Sequence, residues 1–281
     1  MGCDPGGGVT ATALVGHPDC SLHDTGWKHP DHQGRLPAVV RAIERDMPAL
    51  HTHLREIEAR PATEAELLRV HTPEHLDRVR AAVQQAASLG ASVSLDADTR
   101  VSGASWAAAL AAAGTVLSAT EAVRSGAARN AFCLARPPGR GASATQPGRF
   151  SLFNNVAVGV RHLQEEHGVR CVLVVDWGAD PPLGTQDIFQ ADPWVHLLGG
   201  AFGAAELEAA VAATRPEWIF LAADFGDDPE PVYARTRLLR ECAEAACHGR
   251  LVSVQEGGYA AAALGKAVVQ HLRALAALPP A

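Results

Sequence analysis

Residues 172–186 read Val-Leu-Val-Val-Asp-Trp-Gly-Ala-Asp-Pro-Pro-Leu-Gly-Thr-Gln, and this stretch decides how the chain folds. Its first four residues are apolar and mostly β-branched, which is typical of a parallel strand buried on both faces. Asp176 follows at once, and glycine and two prolines then break the strand. Ligands collect beyond the carboxyl ends of strands in open α/β sheets. The stretch therefore predicts a strand that delivers residues to a site-bearing loop.

Comparable apolar runs recur along the chain and alternate with segments that carry helical periodicity or helix-start signals. They lie at residues 10–15, 131–135, 172–175, 218–222 and 251–254. This alternation predicts the α/β class, as a single three-layer α/β/α domain with a mainly parallel central sheet over residues 1–281. We expect the Gly-rich residues 1–9 to be disordered. A helix over residues 36–47 is expected to end at Pro48, because proline does not continue a helix.

Composition excludes several classes of function. The formal net charge is −7 and no block of Lys and Arg occurs, which argues against nucleic acid as a partner. No apolar run reaches the length of about 20 residues that a membrane-spanning helix needs. The six cysteines are scattered, which indicates reduced thiols in a cytoplasmic protein, with Cys133 and Cys171 expected in buried strands. The sequence names no partner, and both a homo-oligomer and a protein partner stay open.

The loops after the predicted strands carry polar, Gly-rich and Pro-rich motifs. They are Gly-His-Pro-Asp-Cys-Ser-Leu-His-Asp-Thr-Gly at 16–26, Arg-Pro-Pro-Gly-Arg-Gly at 136–141, Phe-Ser-Leu-Phe-Asn-Asn-Val-Ala at 150–157, Asp-Trp through Gly-Thr-Gln-Asp-Ile-Phe at 176–189, and Glu-Gly-Gly-Tyr at 256–259. Taken together and in this order, they resemble the histone deacetylase family, which has the arginase/deacetylase fold. The opening loop is similar to that of bacterial, acetoin-utilisation-type members.

The resemblance implies a zinc-dependent deacetylase, an enzyme that hydrolyses a C–N amide bond. In that family an aspartate and a histidine of one loop and an aspartate of a later loop hold the zinc ion, which polarises the acyl oxygen and activates water. A histidine pair moves protons, and a tyrosine hydroxyl stabilises the oxyanion. Tyr259 falls on the tyrosine position. The positions that line the substrate channel fall on Arg149, Phe150 and Gly258.

The other catalytic positions carry different residues here. The three zinc-ligand positions fall on Gly178, Asp180 and Gly226, and the histidine pair falls on Arg140 and Gly141. Glycine has no side chain to donate, and metal affinity depends on the number and type of ligands. The resemblance thus predicts the family fold with a degraded zinc site, and the leading hypothesis is a pseudoenzyme with a binding or regulatory role and no cofactor.

Two alternatives from different classes stay open. In the first, relocated carboxylates bind Mg²⁺ or Mn²⁺ in an amidohydrolase that acts on acyl-lysine or acyl-polyamine. The candidate ligands follow two neighbouring strands and are Asp176, Asp180, Asp224 and Asp227. Asp176 also falls on a position that the family uses for a structural monovalent cation. In the second alternative, Arg140 and Arg149 hold a small anion, because paired arginines suit carboxylate or phosphate recognition.

Overall fold

A computed structural model describes residues 11–200, 202–226 and 228–281. Residues 1–9, with their expected disorder, and the candidate ligand Asp227 lie outside the described residues. The strands are, in chain order, β1 (Thr12–Gly16), β2 (Leu54–Glu58), β3 (Val93–Ser94), β4 (Arg100–Val101), β5 (Asn130–Cys133), β6 (Val172–Asp176), β7 (Val195–Leu198), β8 (Trp218–Ala223) and β9 (Leu251–Gln255).

Across these ranges, seven strands form one sheet in the order β2-β1-β5-β9-β8-β6-β7. Every pairing within that sheet is parallel. β3 and β4 form a separate antiparallel pair. The predicted α/β class and its mainly parallel central sheet are therefore confirmed.

Helices connect the strands and cover both faces of the sheet. They are α1 (Arg35–Leu50), α2 (Glu64–Leu67), α3 (Pro73–Leu89), α4 (Ser105–Arg124), α5 (Asn155–His167), α6 (Leu183–Phe189), α7 (Ala204–Thr214), α8 (Glu230–Cys247) and α9 (Ala261–Leu275). The start of α3 illustrates how local sequence determines where a helix begins. Thr72 accepts a hydrogen bond from the His75 backbone N–H, and Pro73 occupies the first helical position, where its missing N–H is not needed.

The three layers follow from the alternation of side chains along the strands. In β6, Val172 and Val174 pack into one apolar cluster, which includes residues of α4 and α5. Leu173 and Val175 pack into the other cluster, which includes residues of α1, α8 and α9. Successive side chains of a strand point to opposite faces, so a sheet covered on both sides needs apolar residues at every position. This requirement is the physical reason for the unbroken apolar run.

Two local expectations differ from the structure. Helix α1 continues through Pro48 to the fully buried Leu50. The proline lies in the last turn, where it costs one backbone hydrogen bond, and the burial of Leu50 compensates. Cys133 is buried in β5 as expected, whereas Cys171 precedes β6 and is only partly buried.

Helix α4 is long and apolar enough to cross a membrane, by length and composition alone. However, 72% of its most apolar 18-residue window is buried inside the fold. Its alanines and Gly114 lie against the sheet and its connections. At Gly114 an added Cβ would lie 1.9 Å from the carbonyl oxygen of Arg60. The segment after β2 therefore crosses α4 in direct contact with its backbone.

We expect Gly114→Ala to destabilise the protein, although alanine has the higher helix propensity. The new methyl group must displace backbone at Arg60, so the free energy of unfolding should fall by about 1–3 kcal/mol. Urea denaturation measures this change. The matched control is Ser88→Ala on the exposed face of α3, which should change stability by no more than about 0.5 kcal/mol. Equal stability of the two variants would contradict the contact.

Candidate functional site

Three acidic side chains lie at the carboxyl edge of the sheet, where the neighbouring strands β6, β8 and β9 end. Asp176 is the last residue of β6, Asp224 follows β8 and Glu256 follows β9. The register pairs Asp176 with Ala222 of β8, so these strands end at the same level. This is the edge at which ligands collect in open parallel sheets.

The buried carboxylate of Asp176 binds the guanidinium group of Arg140 through two hydrogen bonds. Nε of Arg140 donates to Oδ2, and Nη2 donates to Oδ1, both at 2.8 Å. The backbone N–H of Gly178 also donates to Oδ1, at 2.7 Å. Burial raises the pKa of Asp176, and the bonds from Arg140 oppose that rise. Burial alone would lower the pKa of Arg140, but its bonds to Asp176 outweigh this effect and raise it. Arg140 is therefore the cation at the end of β6.

The Arg140 side chain fills the space beside Gly178. A Cβ atom at residue 178 would lie 1.9 Å from Nη2 of Arg140 and 2.2 Å from its Cζ. Arg140 is 7% exposed, and its guanidinium donates two hydrogen bonds to Asp176 and one to the backbone carbonyl of Asp180, so it has little freedom to move aside. Consequently, any side chain at residue 178 must displace Arg140 from Asp176. Arg140, at a predicted histidine-pair position, and Gly178, at a predicted zinc-ligand position, are therefore sterically coupled.

Asp180 is held by two arginines. Its backbone carbonyl accepts a hydrogen bond from Nη2 of Arg140, and its carboxylate accepts one from Nη1 of Arg149 at 2.6 Å. The side chains of Arg149 and Asp180 are 49% and 58% exposed, which makes this a surface ion pair. Both arginines of the anion-binding hypothesis are thus bound to carboxylates of the chain itself.

The ring of Tyr259 packs against the ring of Phe150. The two rings meet edge to face with their centroids 5.4 Å apart. The Arg35 guanidinium lies 4.7 Å from the centroid of the Tyr259 ring, and Nε of Arg35 donates to the carbonyl oxygen of Gly258 at 2.8 Å. Burial raises the pKa of the Tyr259 hydroxyl, so the phenol stays protonated at neutral pH. Three residues predicted for the site are therefore brought together: Phe150, Gly258 and Tyr259.

Glu256 is a fully buried carboxyl group behind the Arg140 loop. Its Oε2 accepts hydrogen bonds from the backbone N–H groups of Gly139 and Arg140, the second at 2.9 Å. Among the described residues, its Oε1 has no partner. Burial raises the pKa of Glu256 to about 7, against the lowering effect of the two N–H groups. Glu256 therefore titrates near neutral pH.

Asp224 lies against the backbone of the tyrosine loop. An added Cβ at Gly257 would lie 2.1 Å from the Asp224 carboxyl carbon. Gly226, a predicted zinc-ligand position, donates its N–H to Oδ1 of Asp224 at 3.3 Å and has a φ of +59°. That left-handed conformation favours glycine, so the backbone at residue 226 suits a residue that has no side chain.

The described residues at the edge of the sheet do not fit a zinc ion. Two of the predicted ligand positions, Gly178 and Gly226, have no side chain, and the third, Asp180, binds Arg149 at the surface. Asp176 was also expected to bind a structural cation, but both of its carboxylate oxygens accept hydrogen bonds from Arg140. Zinc in catalytic sites takes three protein ligands, and the described residues of this edge do not bring three together.

A different group of candidate metal ligands lies between two helices. Within the described ranges, one group of three or more His, Cys, Asp or Glu residues has all its ligand atoms within 4.8 Å of one another. Its members are Glu121, His162 and His167. None of them was a predicted site residue. The relocated-ligand hypothesis requires a similar convergence of Asp176, Asp180 and Asp224, which the described residues do not show.

The ion pair between Arg140 and Asp176 is likewise absent from the sequence-based expectations. From the sequence, Arg140 is predicted only as the replacement of a family histidine, and no ion-pair partner is assigned to it. A signal nevertheless exists in the sequence. An aspartate at the end of a fully apolar strand is buried, and a buried carboxylate requires a cation or hydrogen-bond donors. Arg140 lies in the loop after β5, at the same edge of the sheet.

Comparisons with known proteins agree with this fold. The family model of the Histone deacetylase domain matches residues 29–199. The Histone deacetylase-like amidohydrolase of Pseudomonas aeruginosa is 28% identical over 321 residues, which span 95% of this chain and 80% of that protein. The Polyamine deacetylase HDAC10 of Homo sapiens is 33% identical over 187 residues, which span 66% of this chain but only 28% of that protein. The crystal structure of the HDA15 HD domain superimposes with a TM-score of 0.82 at 23% identity, covering 97% of this chain and 90% of that one.

The fold and the site loops define an α/β protein of the deacetylase type, with its loops at the carboxyl edge of a parallel sheet. The chain belongs to the histone deacetylase family. The matched residues include Arg140, Gly178 and Asp180, whereas Gly226 and Tyr259 lie beyond them. The family match therefore covers these three predicted site positions and leaves those two outside it.

We expect Arg140→Met to lower the free energy of unfolding by about 3–5 kcal/mol, because it leaves the buried Asp176 carboxylate without its cation. Methionine keeps the aliphatic part of the side chain. The matched control is Arg149→Met, whose partner Asp180 is exposed, and it should cost no more than about 1 kcal/mol. Adding Asp176→Asn to Arg140→Met should restore part of the loss. Urea denaturation measures the free energy of unfolding of each variant. If Arg140→Met and Arg149→Met lower it by similar amounts, the buried pair is not stronger than the surface pair.

We also expect Glu256 to destabilise the fold as the pH rises from about 4.5 through about 7. Its pKa is higher in the folded than in the unfolded state, so its contribution is complete at low pH and lost above the folded pKa. Glu256→Gln removes this loss and should be more stable than the parent at pH 8 by up to about 3 kcal/mol, with little difference at pH 4.5.

Urea denaturation of both proteins between pH 4.5 and 8.5 measures this difference. Buried histidines contribute the opposite slope, because burial lowers the pKa of His23, His71 and His271 to about 3. They are present in both proteins, so the difference isolates Glu256. A difference that stays constant from pH 4.5 to 8.5 would show that Glu256 does not titrate in this range.

Proposed function

We propose that this chain is a histone deacetylase-family protein in which an internal ion pair takes the place of the catalytic zinc, and that it has a binding or regulatory role without amide hydrolysis. The observation that carries the proposal is the guanidinium of Arg140. It forms two 2.8 Å hydrogen bonds with Asp176 in the space that a side chain at Gly178 would need.

The chemistry of the retained residues supports the proposal. Metal-dependent amide hydrolysis needs a Lewis acid for the acyl oxygen and a base for the attacking water. A guanidinium has only donors and stays protonated, so Arg140 does not accept a proton from water. Gly141 offers no side chain at the second histidine position. The protonated Tyr259 hydroxyl is a hydrogen-bond donor for an oxyanion, but a donor alone does not activate water.

The relatives favour a competing function. They are named a histone deacetylase-like amidohydrolase and a polyamine deacetylase, which would make this chain an amidohydrolase with relocated carboxylate ligands and Mg²⁺ or Mn²⁺. Against this function, Asp176 is engaged by Arg140 and Asp180 by Arg149. We place the hydrolase second for this reason.

The proposal predicts that the purified full-length chain does not deacetylate. Acetyl-lysine peptides and acetylated polyamines are incubated with the chain and Zn²⁺, Mn²⁺ or Fe²⁺, with the Pseudomonas aeruginosa relative assayed in parallel. We expect no turnover above a reference without protein, because no residue at the histidine positions activates water. Turnover that is lost in Tyr259→Phe would refute the proposal and favour the hydrolase.

Zinc analysis provides a second readout. The variant His162→Ala/His167→Ala removes both imidazoles of the separate group formed by Glu121, His162 and His167. The zinc content of this variant therefore reports on the edge of the sheet. After incubation with zinc and dialysis, this variant is expected to hold no stoichiometric zinc. One zinc ion per chain that disappears when Asp176→Asn is added would overturn the proposal.

A further inference from the structure

Glu121, His162 and His167 form a compact cluster between α4 and α5, outside the deacetylase-like site. Glu121 lies in the last turn of α4, and the two histidines lie five residues apart on α5. Nε2 of His162 is 2.8 Å and Nε2 of His167 is 2.6 Å from the same carboxylate oxygen, Oε1 of Glu121. The imidazole rings meet edge to face with their centroids 5.2 Å apart.

Glu121 carries the one carboxylate of the cluster, and Arg124 and both histidines make hydrogen bonds to it. Arg124 binds the other oxygen, Oε2, through Nε at 2.9 Å and Nη2 at 2.8 Å. This pair orients the carboxylate so that Oε1 faces the two imidazoles, as outer hydrogen bonds orient the ligands of metal sites.

We propose that Glu121, His162 and His167 bind a divalent transition-metal ion of the zinc class through Oε1 and the two Nε2 atoms. In the structure both Nε2 atoms converge on one oxygen, and all three ligand atoms lie within 4.8 Å of one another. An ion placed among them replaces the two hydrogen bonds by metal–ligand bonds, while each imidazole carries its proton on Nδ1. Two imidazole nitrogens favour zinc, copper or nickel over magnesium and calcium, which prefer oxygen ligands.

The burial of the ligands defines the kind of site. His162 is buried, whereas the side chains of His167 and Glu121 are 24% and 38% exposed. One side of the cluster is therefore open to solvent, and water completes the coordination of a zinc ion with three protein ligands. Because the ligands come from two helices, the ion links the end of α4 to the end of α5. We infer a stabilising metal site, independent of the residues around Asp176.

Isothermal titration calorimetry with Zn²⁺ on the full chain, purified without a histidine tag, tests the site. We expect saturable binding of one ion per chain, and a weakening of about tenfold or more in His167→Ala and in Glu121→Gln. Mg²⁺ should not bind. His51→Ala, at an exposed histidine after α1, should bind Zn²⁺ like the parent. Zn²⁺ should raise the Tm of the parent and leave that of His167→Ala unchanged.

Co²⁺ provides a readout that does not depend on stability, because visible absorption reports its ligands. The parent and His51→Ala should give the same spectrum, and His167→Ala should lose it. Unchanged Zn²⁺ binding in both His167→Ala and Glu121→Gln, or no saturable Zn²⁺ binding by the folded parent, overturns the proposal. Binding lost only in Asp176→Asn also overturns it and assigns the ion to the edge of the sheet.

Discussion

The carboxylate of Asp176 imposes one electrostatic constraint on the whole edge of the sheet. It lies at the end of β6 with no exposed surface, and an unpaired charge in such a place costs several kcal/mol. A cation must therefore be present. Arg140 supplies it from the loop after β5, and this loop also wraps the carboxyl group of Glu256 with its backbone N–H groups. Residue 178 must then be small, because the guanidinium fills the space beside it. A single buried charge thus constrains one residue in each of two loops, Arg140 after β5 and Gly178 after β6.

A second buried ion cluster holds the remaining loops in place. Asp31 binds the guanidinium groups of Arg35 and Arg136, and all three side chains are almost fully buried. Burial alone would raise the pKa of Asp31, but the two guanidinium groups lower it overall. Arg35 also donates to the backbone carbonyls of Gly257 and Gly258. Arg35 therefore ties the tyrosine loop to this buried cluster through two backbone carbonyls. These contacts involve none of the predicted zinc-ligand positions.

Apolar runs and loop motifs in the sequence predicted the fold well. They predicted where the candidate site lies, but not which of its residues contact one another. The apolar run at residues 172–175 specifies a strand buried on both faces, because the constraint acts on every residue of the segment. The resemblance of the loops located the edge where Arg140 and Asp176 lie. Their ion pair joins residues 36 positions apart and depends on the register of the strands, which no local pattern contains. Glu121 and His162, 41 positions apart on two helices, are individually ordinary surface-type residues. Only the packing of α4 on α5 brings them together.

The coupling between Arg140 and Gly178 also decides how the site responds to change. A buried ion pair adds little net stability compared with a neutral packed pair, but removal of one partner is costly. A carboxylate introduced at residue 178 alone would collide with the guanidinium and place a second acid beside Asp176. A histidine introduced at residue 140 alone would remove the two guanidinium hydrogen bonds from Asp176 and leave only the backbone N–H of Gly178 as a donor. Neither step is favourable by itself, so the two positions are expected to change together or not at all. The ion pair between Arg140 and Asp176 is therefore a self-consistent arrangement of these two loops within the family fold.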